Sequence, residues 1–246
     1  MSVAGSDFAV RVEGLEKSFG HWPVLWDLDL TLDWGQLLVL FGANAVGKTT
    51  LLRILSTQAR PDAGTLSVAG YDPVRTPNAV RRRIGVVGHQ TCLYDDLTCR
   101  ENLVYYGRLF GLTDIPRRVD EAISRVSLGH RADQRVRTLS NGMQKRASIA
   151  RAILHRPPLL LLDEPEAGLD QESTVMLQGL LKEWAESGGA AIMTTHNVDL
   201  GLAWGETGKI GVLADGKVQV QEPGRYANVA EFRQVLSSSL VTRQRN

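Results

Sequence analysis

At 246 residues, 43% hydrophobic and 22% charged, the chain has the composition of a globular protein, with length for one sizeable domain or two small ones. A net charge of +1 gives no electrostatic case for a nucleic-acid binder, and two cysteines, Cys92 and Cys99, are too few for a disulfide scaffold. The opening MSVAGSDFAV lacks the basic-then-apolar order of a secretory leader, and no apolar run nears the ~20 residues that cross a bilayer, so a membrane role requires another polypeptide.

In chain order, Phe8, Val10 and Val12 alternate with polar or small residues as a strand does. Residues 24–33 (VLWDLDLTLD) continue the pattern, with Leu25, Leu28, Leu30 and Leu32 opening an antiparallel sheet. Leu37–Phe41 is a continuous apolar run, the mark of a parallel strand buried on both faces. A helix follows over Lys48–Leu55, with Leu51, Leu52 and Leu55 on one side. The turn from Pro61 to Gly64 leads to a strand at Thr65–Val68, and Thr76 before Pro77 reads as a helix cap. Arg81, Arg82 and Arg83 suit a solvated helix end, and Ile84–Val87 is strand-like.

Strand signal then nearly vanishes through the stretch ending at His155, where Leu97–Phe110, Ile115–Val126 and Gly142–Leu154 read as helices. The alternation resumes with a strand at Leu159–Leu162, then a helix over Asp170–Ser187 carrying Val175, Leu177, Leu180, Leu181 and Trp184. A strand at Ala190–Thr194, a hairpin at Asp215 and Gly216, and a helix over residues 229–236 complete the pattern. The expected fold is α/β, with a mainly parallel sheet, an N-terminal antiparallel β region and an inserted helical subdomain. It forms one domain, with residues 1–90 and 156–246 as the α/β core and 91–155 as the insertion.

GANAVGKTT over residues 42–50 satisfies the phosphate-loop pattern. Gly42 and Gly47 let the backbone of Ala43, Asn44, Ala45 and Val46 aim N–H groups at phosphates. Lys48 supplies a cation for the β- and γ-phosphates, Thr49 a hydroxyl for Mg²⁺, and the helix start at Thr49 and Thr50 a positive dipole end. The run LLLLDEP at 159–165 supplies the partner carboxylates, with Asp163 placed to hold Mg²⁺ and Glu164 to polarise an attacking water. A strand ending in Asp-Glu is ordinary by itself; the preceding phosphate loop makes it informative.

LSNGM at 139–143, opening a helix about twenty residues before those carboxylates, completes a set that resembles the nucleotide-binding subunit of ABC transporters over essentially the whole chain. The resemblance implies ATP and Mg²⁺ as ligands. Ser140 and Gly142 would bind the γ-phosphate of ATP held by a second subunit, most simply another copy. It also implies that Phe19 stacks on adenine, that Gln90 touches Mg²⁺ and links the site to the membrane partner, and that His196 holds the γ-phosphate. Ala167, Gly168, Leu169 and Asp170 match the loop that crosses the dimer interface. Lys48, Gln90, Glu164 and His196 would then be the catalytic set, working on integral membrane permease subunits from the cytoplasmic face of the membrane. Asn141 and Met143 depart from the usual LSGGQ, and Asn141 would limit the close backbone approach that glycine permits.

On a finer scale, GHQTCLYDDLTCRENLVYYGRLFGL followed by the signature segment resembles the ATPase of the heme exporter of cytochrome c maturation. The same LYDDLT and ENL text occurs in multidrug, lipid and polysaccharide exporters, which remain the alternative. ABC ATPases that act on DNA or ribosomes are a further alternative, but they usually carry two ATPase domains or long coiled coils.

Overall fold

The computed structural model describes residues 7–198, 201 and 208–221; the helix expected over 229–236 lies outside them. Strands β1 (Phe8–Phe19), β2 (Trp22–Asp33) and β4 (Ala63–Val68) form an antiparallel sheet in the order β2-β1-β4. Leu28, Leu30 and Leu32 alternate inward, whereas Leu25 is three residues from Leu28. The left-handed Asp27 (φ 45°) and the register shift opposite it bring Leu25 back to the buried face.

The second sheet has the order β5-β6-β7-β3-β8-β9, built from β3 (Leu37–Phe41), β5 (Ile84–Val87), β6 (Leu159–Asp163), β7 (Ala190–Thr194), β8 (Lys209–Ala214) and β9 (Lys217–Gln221). All pairs are parallel except the β8–β9 hairpin, which turns at Asp215 and Gly216, both at positive φ as expected of its two-residue turn. Why the parallel strands read as unbroken apolar runs is now plain. Leu37, Val39, Phe41, Leu160, Leu162, Ala191 and Met193 face one core, while Leu38, Leu40, Leu159, Leu161, Ala190 and Ile192 face another. Helix α1 (Lys48–Leu55) and the antiparallel sheet cover the second face.

The first face carries α3 (Cys99–Leu109), α4 (Ile115–Arg125), α5 (Asn141–Ile153) and α6 (Gln171–Glu186). The short α2 (Pro77–Arg81) precedes β5, with Arg81 in its last turn. Thr76 holds the N-terminal position of α2, but its hydroxyl donates to the Asp72 carbonyl at 2.9 Å instead of capping the helix. Helix α3 starts at Cys99 and not at Leu97, because Thr98 forms a reciprocal cap. Its hydroxyl accepts the Glu101 N–H at 3.0 Å, and Glu101 accepts the Thr98 N–H at 2.8 Å. In α6, Leu177, Leu180, Leu181 and Trp184 make the inward stripe. Val175, expected among them, lies about 200° round the helix from Leu177 and is 57% exposed. Cys92 and Cys99 are free thiols. Among the described residues no helix is long and apolar enough to cross a membrane.

Candidate functional site

The site gathers at the carboxyl ends of β3, β5, β6 and β7, where parallel sheets place their ligands. Leaving β3, the loop turns through left-handed Ala45 (φ 61°) and Gly47 (φ 119°) before α1 begins. A Cβ on Gly42 would lie 2.7 Å from the Leu213 carbonyl oxygen, so tight packing excludes a side chain there. Gly47 itself packs against Val24 and Leu25 of β2. No side chain caps α1, which leaves its first-turn N–H groups and positive dipole end facing the loop. Asn44 and Ala45 are exposed and Ala43 packs half-buried against the core, whereas Val46 is buried and has only its backbone to offer a ligand. Thr50 sits half-buried in the first turn of α1.

Lys48 is buried and curls over its own loop, donating to the carbonyls of Gly42 (2.7 Å) and Ala43 (3.0 Å). Burial lowers its pKa, with the carboxylates of Glu164 and Asp163 opposing that shift. Thr49 Oγ1 donates to Asp163 Oδ2 at 2.8 Å, bringing a hydroxyl and a carboxylate from residues 114 apart in the chain into one corner. His89 Nε2 approaches the same Asp163 oxygen at 3.4 Å. Gln90 lines, with Thr49, Gly88, His89, Arg151 and Asp163, a cleft of about 320 Å³. The oxygen-only corner of Thr49 and Asp163 fits Mg²⁺, which keeps waters and takes few protein ligands. Among the described residues no cluster of three or more His, Cys, Asp or Glu forms a metal cage.

Glu164 stands at φ 47°, in the left-handed region that favours glycine, and its N–H is held by Thr194 Oγ1 at 3.1 Å. Its Oε1 lies 3.3 Å from His196 Nδ1. Phe19, at the end of β1, is about half exposed, with the Lys17 ammonium 5.5 Å from its ring centroid. Lys17 is itself anchored to Asp62 at 2.7 Å.

Ser140 and Gly142 lie outside this cleft. Ser140 caps α5 by accepting the Met143 N–H at 3.3 Å. Gly142 abuts the loop at 167–170; a Cβ there would come 2.8 Å from the Gly168 carbonyl oxygen. Met143 is half-buried and packs on the core, while Asn141 is exposed.

Sequence reading did not foresee five contributors: His89, Lys145, Glu166, Thr194 and Thr195. Lys145 is buried on α5 and donates to the Gly88 carbonyl at 3.2 Å. Burial lowers its pKa against the opposing charges of Glu166, Asp163 and Glu164. For Thr194, Thr195 and Glu166 the one visible signal was position, since hydroxyls and acids at the ends of buried strands face the ligand side of such a sheet.

Comparison with known proteins bears on the family and the fold. The ABC transporter family profile matches residues 25–167, more than half of the chain. The doxorubicin resistance ATP-binding protein DrrA of Mycobacterium tuberculosis (strain CDC 1551 / Oshkosh) is 39% identical over 78% of this chain and 60% of its own. The ABC transporter ATP-binding protein NatA of Bacillus subtilis (strain 168) is 36% identical over 69% and 70%. The Nod factor export ATP-binding protein I of Ralstonia nicotianae (strain ATCC BAA-1114 / GMI1000) is 38% identical over 78% and 60%. The match thus spans about three fifths of the length of the DrrA and Nod factor relatives. Among solved structures, an ATP-binding subunit of an ABC transporter superposes with a TM-score of 0.82 at 24% identity, over 95% of this chain and 98% of the other, a likeness of fold. A dimeric post-hydrolysis state of the ATP-binding cassette MJ0796 with ADP and Pi superposes at 0.80 and 25% identity, over 88% and 100%. The heme-exporter expectation finds no support in the names of these relatives. The chain belongs to the ABC transporter family, and the fold described above is that family's ATPase domain.

Proposed function

We propose that this chain binds and hydrolyses ATP and that two copies close around the nucleotide to drive export through separate membrane subunits. The observation that carries the reading is the meeting of Thr49 with Asp163 at 2.8 Å beside a Glu164 that faces His196 at 3.3 Å. Backbone N–H groups of residues 42–50 would receive the phosphates, and Lys48 would exchange two neutral carbonyls for an anion. Thr49 and Asp163, with Gln90 across the cleft, would hold Mg²⁺, which when bound neutralises charge on the phosphates. Glu164 would take the proton of the attacking water, while His196 steadies the γ-phosphate. Phe19 would stack on the adenine, using the ring face that Lys17 leaves open.

Ser140 and Gly142 would serve the ATP of the facing copy, since both lie outside their own chain's cleft. Residues 91–155 would act as the arm that carries this signature and meets the membrane subunit. Tyr94, Tyr105 and Leu109 form an exposed apolar patch there, with the two tyrosine rings edge-to-face at 5.1 Å. The fully buried Asn102 clamps the segment below it, bonding the Tyr94 N–H and carbonyl and the Thr98 carbonyl. We assign this patch to the permease at the cytoplasmic face of the membrane.

The relatives named for doxorubicin resistance and Nod factor export favour a multidrug, lipid or polysaccharide exporter over the heme exporter. Substitution tests the chemistry. Glu164→Gln should keep ATP binding and lose hydrolysis by roughly 10²-fold or more, and Lys48→Ala should lose both. Normal turnover by the Glu164→Gln protein would contradict the assignment of the base.

A further inference from the structure

Two consecutive threonines, both fully buried, end β7 and begin its exit turn, and each is tied to a different acid of the run Asp163 to Glu166. Thr194 Oγ1 donates to Asp163 Oδ1 at 2.7 Å and accepts the Glu164 N–H at 3.1 Å. One residue later the pattern repeats. Thr195 Oγ1 donates to Glu166 Oε1 and accepts the Asn197 N–H at 3.0 Å. In the first case the hydroxyl braces the backbone of Glu164. In the second it closes a side-chain turn from Thr195 to Asn197 whose middle residue is His196.

A hydroxyl has a single proton, so the acceptor that takes it decides which lone pair meets the Asn197 N–H. That acceptor is Glu166. Its other oxygen, Oε2, is buried without a hydrogen-bond partner among the described residues, an arrangement that destabilises unless it does something else. Burial also raises the Glu166 carboxyl above the usual range, and the neighbouring Glu164 charge adds to the rise. The imidazole at the middle of the turn is largely exposed, so little packing fixes it from outside, and it still lies 3.3 Å from Glu164 Oε1.

We propose that Glu166 is a positioning residue: through the Thr195 hydroxyl it sets the turn that holds His196 against Glu164. The inference rests on placing Glu164 and His196 in the ATP site, and its test reads the imidazole directly so that the two ideas fail separately. In the isotope-labelled full chain, the His196 ring resonances should move in Glu166→Ala and in Thr195→Val. They should stay close to the parent in Glu166→Gln and Thr195→Ser, which keep the acceptor and the hydroxyl. Thr195→Val is nearly isosteric and keeps the test alive should Glu166→Ala fail to fold. In turnover, the two disruptive variants should lower kcat about tenfold with KM for ATP unchanged, and should lower it no further when combined with His196→Ala. Imidazole resonances unmoved by both disruptive variants, or Gln and Ser variants as impaired as Ala and Val, would overturn the proposal. So would losses that multiply with that of His196→Ala. Full activity of His196→Ala alone would instead remove His196 from the chemistry, leaving the ring resonances to decide.

Discussion

At the scale of single residues, the acid expected to activate water is held in a conformation that stabilises nothing by itself. Glu164 at φ 47° costs about 1–2 kcal/mol relative to the right-handed regions. Glu164→Gly should therefore raise the unfolding free energy, by about 1 kcal/mol, while abolishing ATP hydrolysis; denaturant unfolding beside a turnover assay checks both. His155 offers a contrast remote from the chemistry. Its ring stacks on Phe110 at 4.0 Å, its Nε2 meets the Ile84 carbonyl at 3.1 Å, and burial lowers its pKa to about 4. The unfolded chain then takes up this proton first. Stability is full above about pH 6.5 and falls as pH drops toward 4, by up to about 3 kcal/mol. His155→Gln keeps a donor for Ile84 but cannot titrate, so its unfolding free energy should change less between pH 7.5 and 5 than the parent's. Lys48, Thr49, Asp163 and Glu164 could be read from the sequence because each lies in a contiguous motif. Thr194, Thr195 and Glu166 could not, because their pairing exists only once β6 lies beside β7 in register, thirty residues apart in the chain.

Among the described elements, periodicity recovered existence and type, and local chemistry moved the ends. Thr98 starts α3 two residues later than apolar spacing alone suggests, because its side chain and that of Glu101 close the cap. Thr98→Ala should cost about 1 kcal/mol in denaturant unfolding, with little effect on ATP turnover. Val175 shares the apolar spacing of α6 but not its phase, so it lies outward. What the continuous runs of β3, β6 and β7 concealed was the division into two cores, since alternation is invisible when both faces are apolar. The strand order β5-β6-β7-β3-β8 likewise follows from crossover packing and leaves no local trace.

For the whole molecule, one chain gathers the loop at 42–50, Thr49, Asp163 and Glu164 at the carboxyl ends of its parallel strands, and presents Ser140 and Gly142 away from them. The exposed Tyr94, with Tyr105 and Leu109 of α3, is the contact we propose for a membrane subunit. Leu109→Glu should leave ATP turnover of the purified chain unchanged and abolish co-purification with the permease; retained co-purification would move the contact elsewhere. We propose above that ATP joins two copies and that its cleavage releases them. Sedimentation velocity of the Glu164→Gln chain with saturating ATP and Mg²⁺ tests it most directly. The expected result is a dimer that reverts to monomer when ATP is replaced by ADP. A monomer carrying one bound ATP per chain, with the membrane subunits supplied as well, would contradict it.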